Sequence, residues 1–236
     1  MTDTELKKIH FTRFPDVSNC NEDGLLAMGG DLDLNTLVSA YAQGIFPWFN
    51  DDQPILWWSP NPRMVLFPSD IKISRSLRKT LKNTPFQVTC NRAFGQVINA
   101  CAVRGEKNPR RVTEDTWITA DMQTAYQQLH ESGYAHSIEV WLNNELVGGL
   151  YGVSLGKVFF GESMFSRVSD ASKVAFVSLA QSLVKQGFSI IDCQVSSEHL
   201  LSLGAREIPR DEFLSHLDSI DVQKPNLNFE HGIVQA

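Results

Sequence analysis

The stretch Phe159-Phe160-Gly161-Glu162-Ser163-Met164-Phe165-Ser166, together with Ile191-Asp192-Cys193-Gln194-Val195 further on, decides how this chain is read. Both are apolar runs of strand length. Between them residues 171–186 carry a helical pattern that Gly187 stops, with Ser169 or Asp170 available as cap. A strand-helix-strand connection favours a right-handed crossover and a parallel pair. Period-two alternation puts Val158, Phe160, Glu162 and Met164 on one face. It groups Ile190, Asp192 and Gln194 against Ile191, Cys193 and Val195. Desolvating a carboxylate is costly, so Glu162 and Asp192 mark a candidate site. From the residues alone, Asp192 and Gln194 are read equally well as a buried pair that fixes strand register. Glu162 is open in the same way. Phe159, Met164, Phe176 and Leu179 are core by default, and a pocket only where a substrate group replaces a side chain.

Upstream, residues 136–142 and 145–151 alternate as strands around Asn143-Asn144, a two-residue hairpin turn tolerant of positive φ. A second turn at Ser154-Leu155-Gly156 leads into residues 157–163, completing an antiparallel meander. Helices are predicted over residues 74–82, with Ser74 as cap, over 92–103 and over 120–132; a short strand covers 86–90. A short helix at 197–203 and a strand at 206–208 close the pattern. Residues 1–62 are dense in turn formers and aromatics around one helix, 34–43, and form a small N-terminal domain; 63–236 form the second. The fold class is α+β. Helices, a meander and then β-α-β resemble a GNAT-like acyltransferase domain with a mixed, mostly antiparallel sheet. The helix after the meander lacks the glycine-rich opening that holds the coenzyme A pyrophosphate in that fold, which disfavours an acetyl-CoA enzyme.

The 236 residues include four cysteines with no C-x-x-C pair, and six histidines without ligand spacing. No metal and no cofactor are expected. No apolar run suits a membrane span or a signal peptide, so a cytoplasmic protein is expected; a monomer is expected as well. Ser163 and Ser166 have no nucleophile elbow around them. The net charge of −6 hides an asymmetry. Residues 72–111 hold ten basic side chains against Glu106 alone, a balance of +9 that leaves −15 elsewhere. Arg75, Arg78, Lys79 and Lys82 fall on one side of a helix. That face is either a solvated surface or a contact for a polyanion, and the absence of interleaved acids favours phosphate. Trp48, which follows a proline, and Trp117, which closes the basic loop 104–114, are either core aromatics or stacking planes for an unpaired base.

Gly24-Leu25-Leu26-Ala27-Met28-Gly29-Gly30-Asp31-Leu32, Gly44-Ile45-Phe46-Pro47-Trp48-Phe49, Trp57-Trp58-Ser59-Pro60, His136-Ser137-Ile138-Glu139-Val140-Trp141, Leu146-Val147-Gly148-Gly149-Leu150-Tyr151-Gly152 and the two stretches quoted first resemble the leucyl/phenylalanyl-tRNA–protein transferases. The resemblance implies transfer of Leu or Phe, and less well Met, from aminoacyl-tRNA to proteins with N-terminal Arg or Lys, marking them for degradation. It implies that Asp192 and Gln194 are the catalytic pair and that Glu162 lies in the reaction centre; the attacking amine must be neutral, so Asp192, held by Gln194, is expected to orient it and help remove its proton. Trp48 and Trp117 would contact the adenosine end of the donor. Phe159, Met164, Phe176, Leu179 and Leu150 would form the amino-acid pocket, and Arg75, Arg78, Lys79 and Lys82 the tRNA-binding cluster. The acceptor's cationic side chain requires an acid, with Glu139, Glu162 and Asp170 as candidates. Two other readings are a tRNA-dependent aminoacyltransferase acting on a cell-wall precursor and a non-catalytic tRNA-binding protein.

Overall fold

The computed structural model describes residues 8–103, 117–218, 220–223, 225 and 227. The loop at 104–114 lies outside them. Strands β1 (Leu25–Met28), β2 (Phe46–Pro47) and β3 (Leu56–Trp58) form a three-stranded antiparallel sheet in the order β1-β3-β2, and helix α1 (Leu34–Ala42) lies between β1 and β2 in the chain. Gly44, at φ 74°, ends α1, where a Cβ would come within 2.5 Å of the Leu214 side chain.

The larger sheet begins with β4 (Arg63–Leu66). It is joined by β5 (Gln87–Cys90), β6 (Ala135–Leu142), β7 (Glu145–Leu155), β8 (Val158–Ser166), β9 (Ile190–Gln194) and β10 (Arg206–Ile208). Their order is β10-β4-β9-β8-β7-β6-β5. β8 and β9 run parallel and every other pair antiparallel, so the sheet is mixed, as the crossover reading requires. Asn143 and Asn144 turn the β6–β7 hairpin at φ 51° and 64°, the left-handed region that asparagine tolerates. β7 runs four residues past the expected 151 before the chain turns at Gly156.

The helices of this part are α2 (Arg75–Asn83), α3 (Phe94–Ala102), α4 (Ala120–Glu131), α5 (Ala171–Lys185), α6 (Glu198–Ser202) and α7 (Arg210–Ser215). The last was not anticipated, since six residues hold too short a pattern to show a period. The Ser74 hydroxyl accepts from the Leu77 N–H and caps α2, as read from the sequence. Neither proposed cap of α5 works that way. Asp170 precedes the helix at φ 65° and its side chain makes no capping bond. Its carboxylate instead accepts from Thr80 Oγ1 of α2 at 3.1 Å and Lys173 Nζ at 3.0 Å.

α5 covers one face of the sheet, burying Val174, Phe176 and Leu179 against Leu150, Phe159 and Ile191. On the opposite face α1, α3 and α4 pack with Tyr151, Val153, Val158 and Phe160. This second core runs on through Leu37 and Tyr41 of α1 into Trp57 of the small sheet, so the two sheets share one apolar interior. Alternation along β8 breaks at Glu162. Gly161 pairs with Gly152 and Ser163 with Tyr151, which leaves Glu162 as an extra residue in a bulge. Met164 therefore lies with Phe159 on the α5 side, not beside Phe160 as strict period two places it.

Gly152 is where β7 and β8 approach too closely for any side chain. A Cβ there would stand 2.2 Å from the Phe160 carbonyl oxygen and 2.6 Å from the Phe159 ring. Gly152→Ala is expected to cost about 3 kcal/mol by overpacking. In a chain of this length that is a drop of roughly 6–12 °C in Tm, read by thermal melting. An unchanged Tm would show that the strands part freely here.

Candidate active site

A cavity of about 220 Å³ opens where the bulge of β8 meets the end of β9. Leu150, Phe159, Met164, Phe176, Leu179 and Ile191 form its apolar wall. All five residues expected to build the amino-acid pocket are among them. Leu150 and Met164 are cross-strand partners on β7 and β8, and α5 supplies Phe176 and Leu179 one helical turn apart. The bulge brings this group together by turning Met164 inward.

The polar side of the cavity holds Glu162, Asp192 and Gln194. Asp192 is fully buried, and so is Arg63 on the neighbouring strand β4. Arg63 Nε donates to Asp192 Oδ1 at 2.8 Å and its Nη2 to Oδ2 at 2.7 Å, a bidentate ion pair. The guanidinium is held between the rings of Phe46 and Phe213, 4.7 Å from each centroid. The Gln194 N–H also donates to Asp192 Oδ1, at 2.9 Å. Both oxygens of Asp192 are therefore engaged from within the protein, and none of its surface is exposed. The carboxylate expected to take a proton from the acceptor amine lies in the wall, not at its face. Its visible effect is on Gln194, which ends β9 at φ 62°. From there Gln194 Nε2 donates to Glu162 Oε1 at 2.9 Å.

Glu162 is the half-buried carboxylate that faces the cavity. Its other partners come from the opposite core. Tyr41 of α1 donates its hydroxyl to Oε1 at 2.8 Å, and Tyr126 of α4 donates to Oε2 at 3.0 Å. Burial pushes the Glu162 carboxyl up to about 7, further than the two phenols and Gln194 pull it down. Burial, with the Glu162 charge next, holds both phenols well above their usual range. Burial also raises the Cys193 thiol in the same wall, so it is no nucleophile at neutral pH.

The other candidates fall elsewhere. Glu139 is fully buried and receives Thr89 Oγ1, Ser137 Oγ and the Ala93 N–H; Asp170 is held by Thr80 and Lys173. Neither lines the cavity. Trp48 and Trp117 do not line it either. Trp48 is 46% exposed beside Trp58, and Trp117 is half-buried against the core at the start of α4. Arg75, Arg78, Lys79 and Lys82 are exposed along α2, and none is in an ion pair among the described residues. The Thr80–Asp170 bond ties that helix to the start of α5, the helix that walls the cavity.

Sequence reasoning missed Arg63, Tyr41 and Tyr126. One signal for Arg63 was present: a buried carboxylate needs a cation, and Arg63 opens the apolar run Met64-Val65-Leu66. The tyrosines carried no such signal, since each fits the apolar stripe of its own helix.

An apolar pocket ending in a carboxyl and an amide suits transfer of an acyl group that bears an apolar side chain. The family described as leucyl/phenylalanyl-tRNA protein transferase matches residues 65–218, and its N-terminal domain matches residues 30–61. A leucyl/phenylalanyl-tRNA–protein transferase of Nitrosospira multiformis is 59% identical over 198 residues, covering 84% of this chain and 83% of its own. One of Nitrosomonas eutropha is 56% identical over 214 residues, with 90% and 89% covered. One of Pseudomonas aeruginosa is 56% identical over 203, with 86% and 88% covered. Among solved structures, L-PGS from Bacillus licheniformis aligns with a TM-score of 0.39 at 12% identity, over 65% of this chain and 48% of that one. The family match and the sequence relatives define an aminoacyl-transferring acyltransferase. The chain belongs to the leucyl/phenylalanyl-tRNA protein transferase family.

Proposed function

We propose that this protein moves Leu or Phe, and Met less well, from aminoacyl-tRNA to the α-amine of proteins that begin with Arg or Lys, marking them for degradation in the cytoplasm. In this reading residues 63–236 are a GNAT-like catalytic domain, 1–62 a small domain packed on it, and the protein acts as a monomer. The observation that carries the proposal is the cavity: Leu150, Phe159, Met164, Phe176 and Leu179 line the same space as Glu162, Asp192 and Gln194.

The donor's apolar side chain enters the pocket, and its ester carbonyl then lies near the Gln194–Glu162 edge. Trp48 and Trp117 provide planes for the terminal adenosine. Arg75, Arg78, Lys79 and Lys82 meet the tRNA backbone. An apolar wall discriminates weakly among such side chains, since one methylene is worth about 1–3 kcal/mol, which accommodates Leu, Phe and some Met. Glu162 draws the cationic amino end of the acceptor. Gln194, held by Asp192 and through it by Arg63, fixes the geometry of attack. The aminoacyl ester is already activated, so placing two substrates supplies much of the rate.

The test is transfer of radiolabelled Leu from charged tRNA to a peptide beginning with Arg, with Asp- and Ala-initiated peptides as controls. Label on the Arg peptide alone is expected. Label on none of them, with tRNA still bound, overturns the reading.

A further inference from the structure

The Glu162 cluster has three oxygen-to-oxygen contacts. Tyr41 reaches Glu162 Oε1, Tyr126 reaches Oε2, and the two phenol oxygens hydrogen-bond each other. The two phenols bring two protons. With Glu162 ionised, both go to its carboxylate, and the phenol-to-phenol contact is left without one. A third proton, placed on Glu162, fills every contact: the acid donates to one phenol, that phenol to the other, and the second phenol back to the acid. Both tyrosines are fully buried, so no water supplies that proton from their side. The open side of Glu162 is the cavity.

We infer that Glu162, closed into a ring with Tyr41 and Tyr126, accepts the proton of the acceptor's α-ammonium group and so generates the attacking amine. Tyr41 and Tyr126 are positioning residues for it. The inference rests on the transfer reaction proposed above. The ammonium N–H bond breaks and its proton goes to Glu162. The freed lone pair forms the N–C bond to the donor's ester carbonyl. As the C–O bond breaks, the ribose oxygen leaves with the second proton of the nitrogen. Glu162 returns its own proton to water when the product departs.

The surroundings are consistent with this assignment. Both oxygens of Asp192 are engaged by Arg63 and the Gln194 N–H, which leaves Glu162 as the carboxylate open to the cavity. Gln194 carries no titratable proton, the Cys193 thiol is held neutral, and Tyr151 lies behind Tyr126 with ring centroids 5.6 Å apart. His199, which also lines the cavity, has its basicity lowered by burial and by Lys173. An α-ammonium ordinarily titrates at about 7.7–8, and Glu162 near 7 is closely matched to it.

The experiment is the pH dependence of kcat/KM for the Arg peptide, from about pH 6 to 9.5, at saturating aminoacyl-tRNA. Glu162→Gln is expected to lower the rate roughly 100-fold or more at pH 7. The deficit should shrink above pH 8.5, where the amine is already free. Tyr41→Phe and Tyr126→Phe each remove a donor to the ionised carboxylate, so the ascending limb moves to higher pH. A Glu162→Gln deficit that stays constant across the range, or tyrosine variants with unmoved limbs, overturns the inference and leaves Glu162 a binding group. Absence of transfer by the unaltered enzyme at every pH counts against the reaction itself.

Discussion

Replacing Arg63 with Met lowers folding stability by about 3–5 kcal/mol and abolishes detectable transfer. Both effects have one cause. The variant leaves Asp192 buried with its charge unpaired, which is far costlier than losing the pair outright. It also removes the cation held between Phe46 and Phe213. Asp192 then loses the partner that orients it, and with it the hold on the Gln194 N–H that keeps Gln194 at φ 62° facing Glu162. Denaturant unfolding and the Leu-transfer assay measure the two effects. The double variant Arg63→Met with Asp192→Leu separates them, because two apolar side chains can replace a buried ion pair at little cost. It is expected to recover most of the stability and none of the activity. Normal turnover in that variant would show that the pair serves the fold alone.

Substituting Arg75, Arg78, Lys79 and Lys82 together with Ala weakens binding of aminoacyl-tRNA roughly 100-fold or more at low salt, on the basis that four phosphate contacts are lost. It also flattens the dependence of log affinity on log salt by about 3, at 0.7–0.9 per contact. The four side chains are exposed on α2, so thermal stability should stay within about 0.5 kcal/mol of the parent. An aminoacyl-adenosine donor, which lacks the tRNA body, should react equally well with both proteins. Filter binding across a salt series and turnover with the two donors read these outcomes. An unchanged salt slope would make the face a solubilising surface only.

Much of the site was legible because its residues lie on a few short elements. The pocket residues on β8 and α5 show as apolar positions in good strand and helix patterns, and Asp192 stands out as a charge within a buried strand. What was not legible was the state of those groups. Read as a lone carboxylate, Asp192 is a plausible base; with Arg63 bound, it is a fixed part of the wall. Glu162 was visible as an acid among apolar neighbours. Its raised affinity for a proton depends on burial beneath α1 and α4, which no spacing within β8 reveals.

By itself the sequence determined the α+β class, the Asn143-Asn144 hairpin, the Ser74 cap and the crossover onto a parallel β9. These follow from short-range sterics and periodicity, which act between residues a few positions apart. Only the tertiary structure decided that the bulge at Glu162 turns Met164 toward α5. It alone paired Asp192 with an arginine 129 positions away, and Glu162 with tyrosines 121 and 36 positions away. Buried polar groups must find partners wherever the packed sheet brings them, and that juxtaposition is a property of the whole fold rather than of any local stretch.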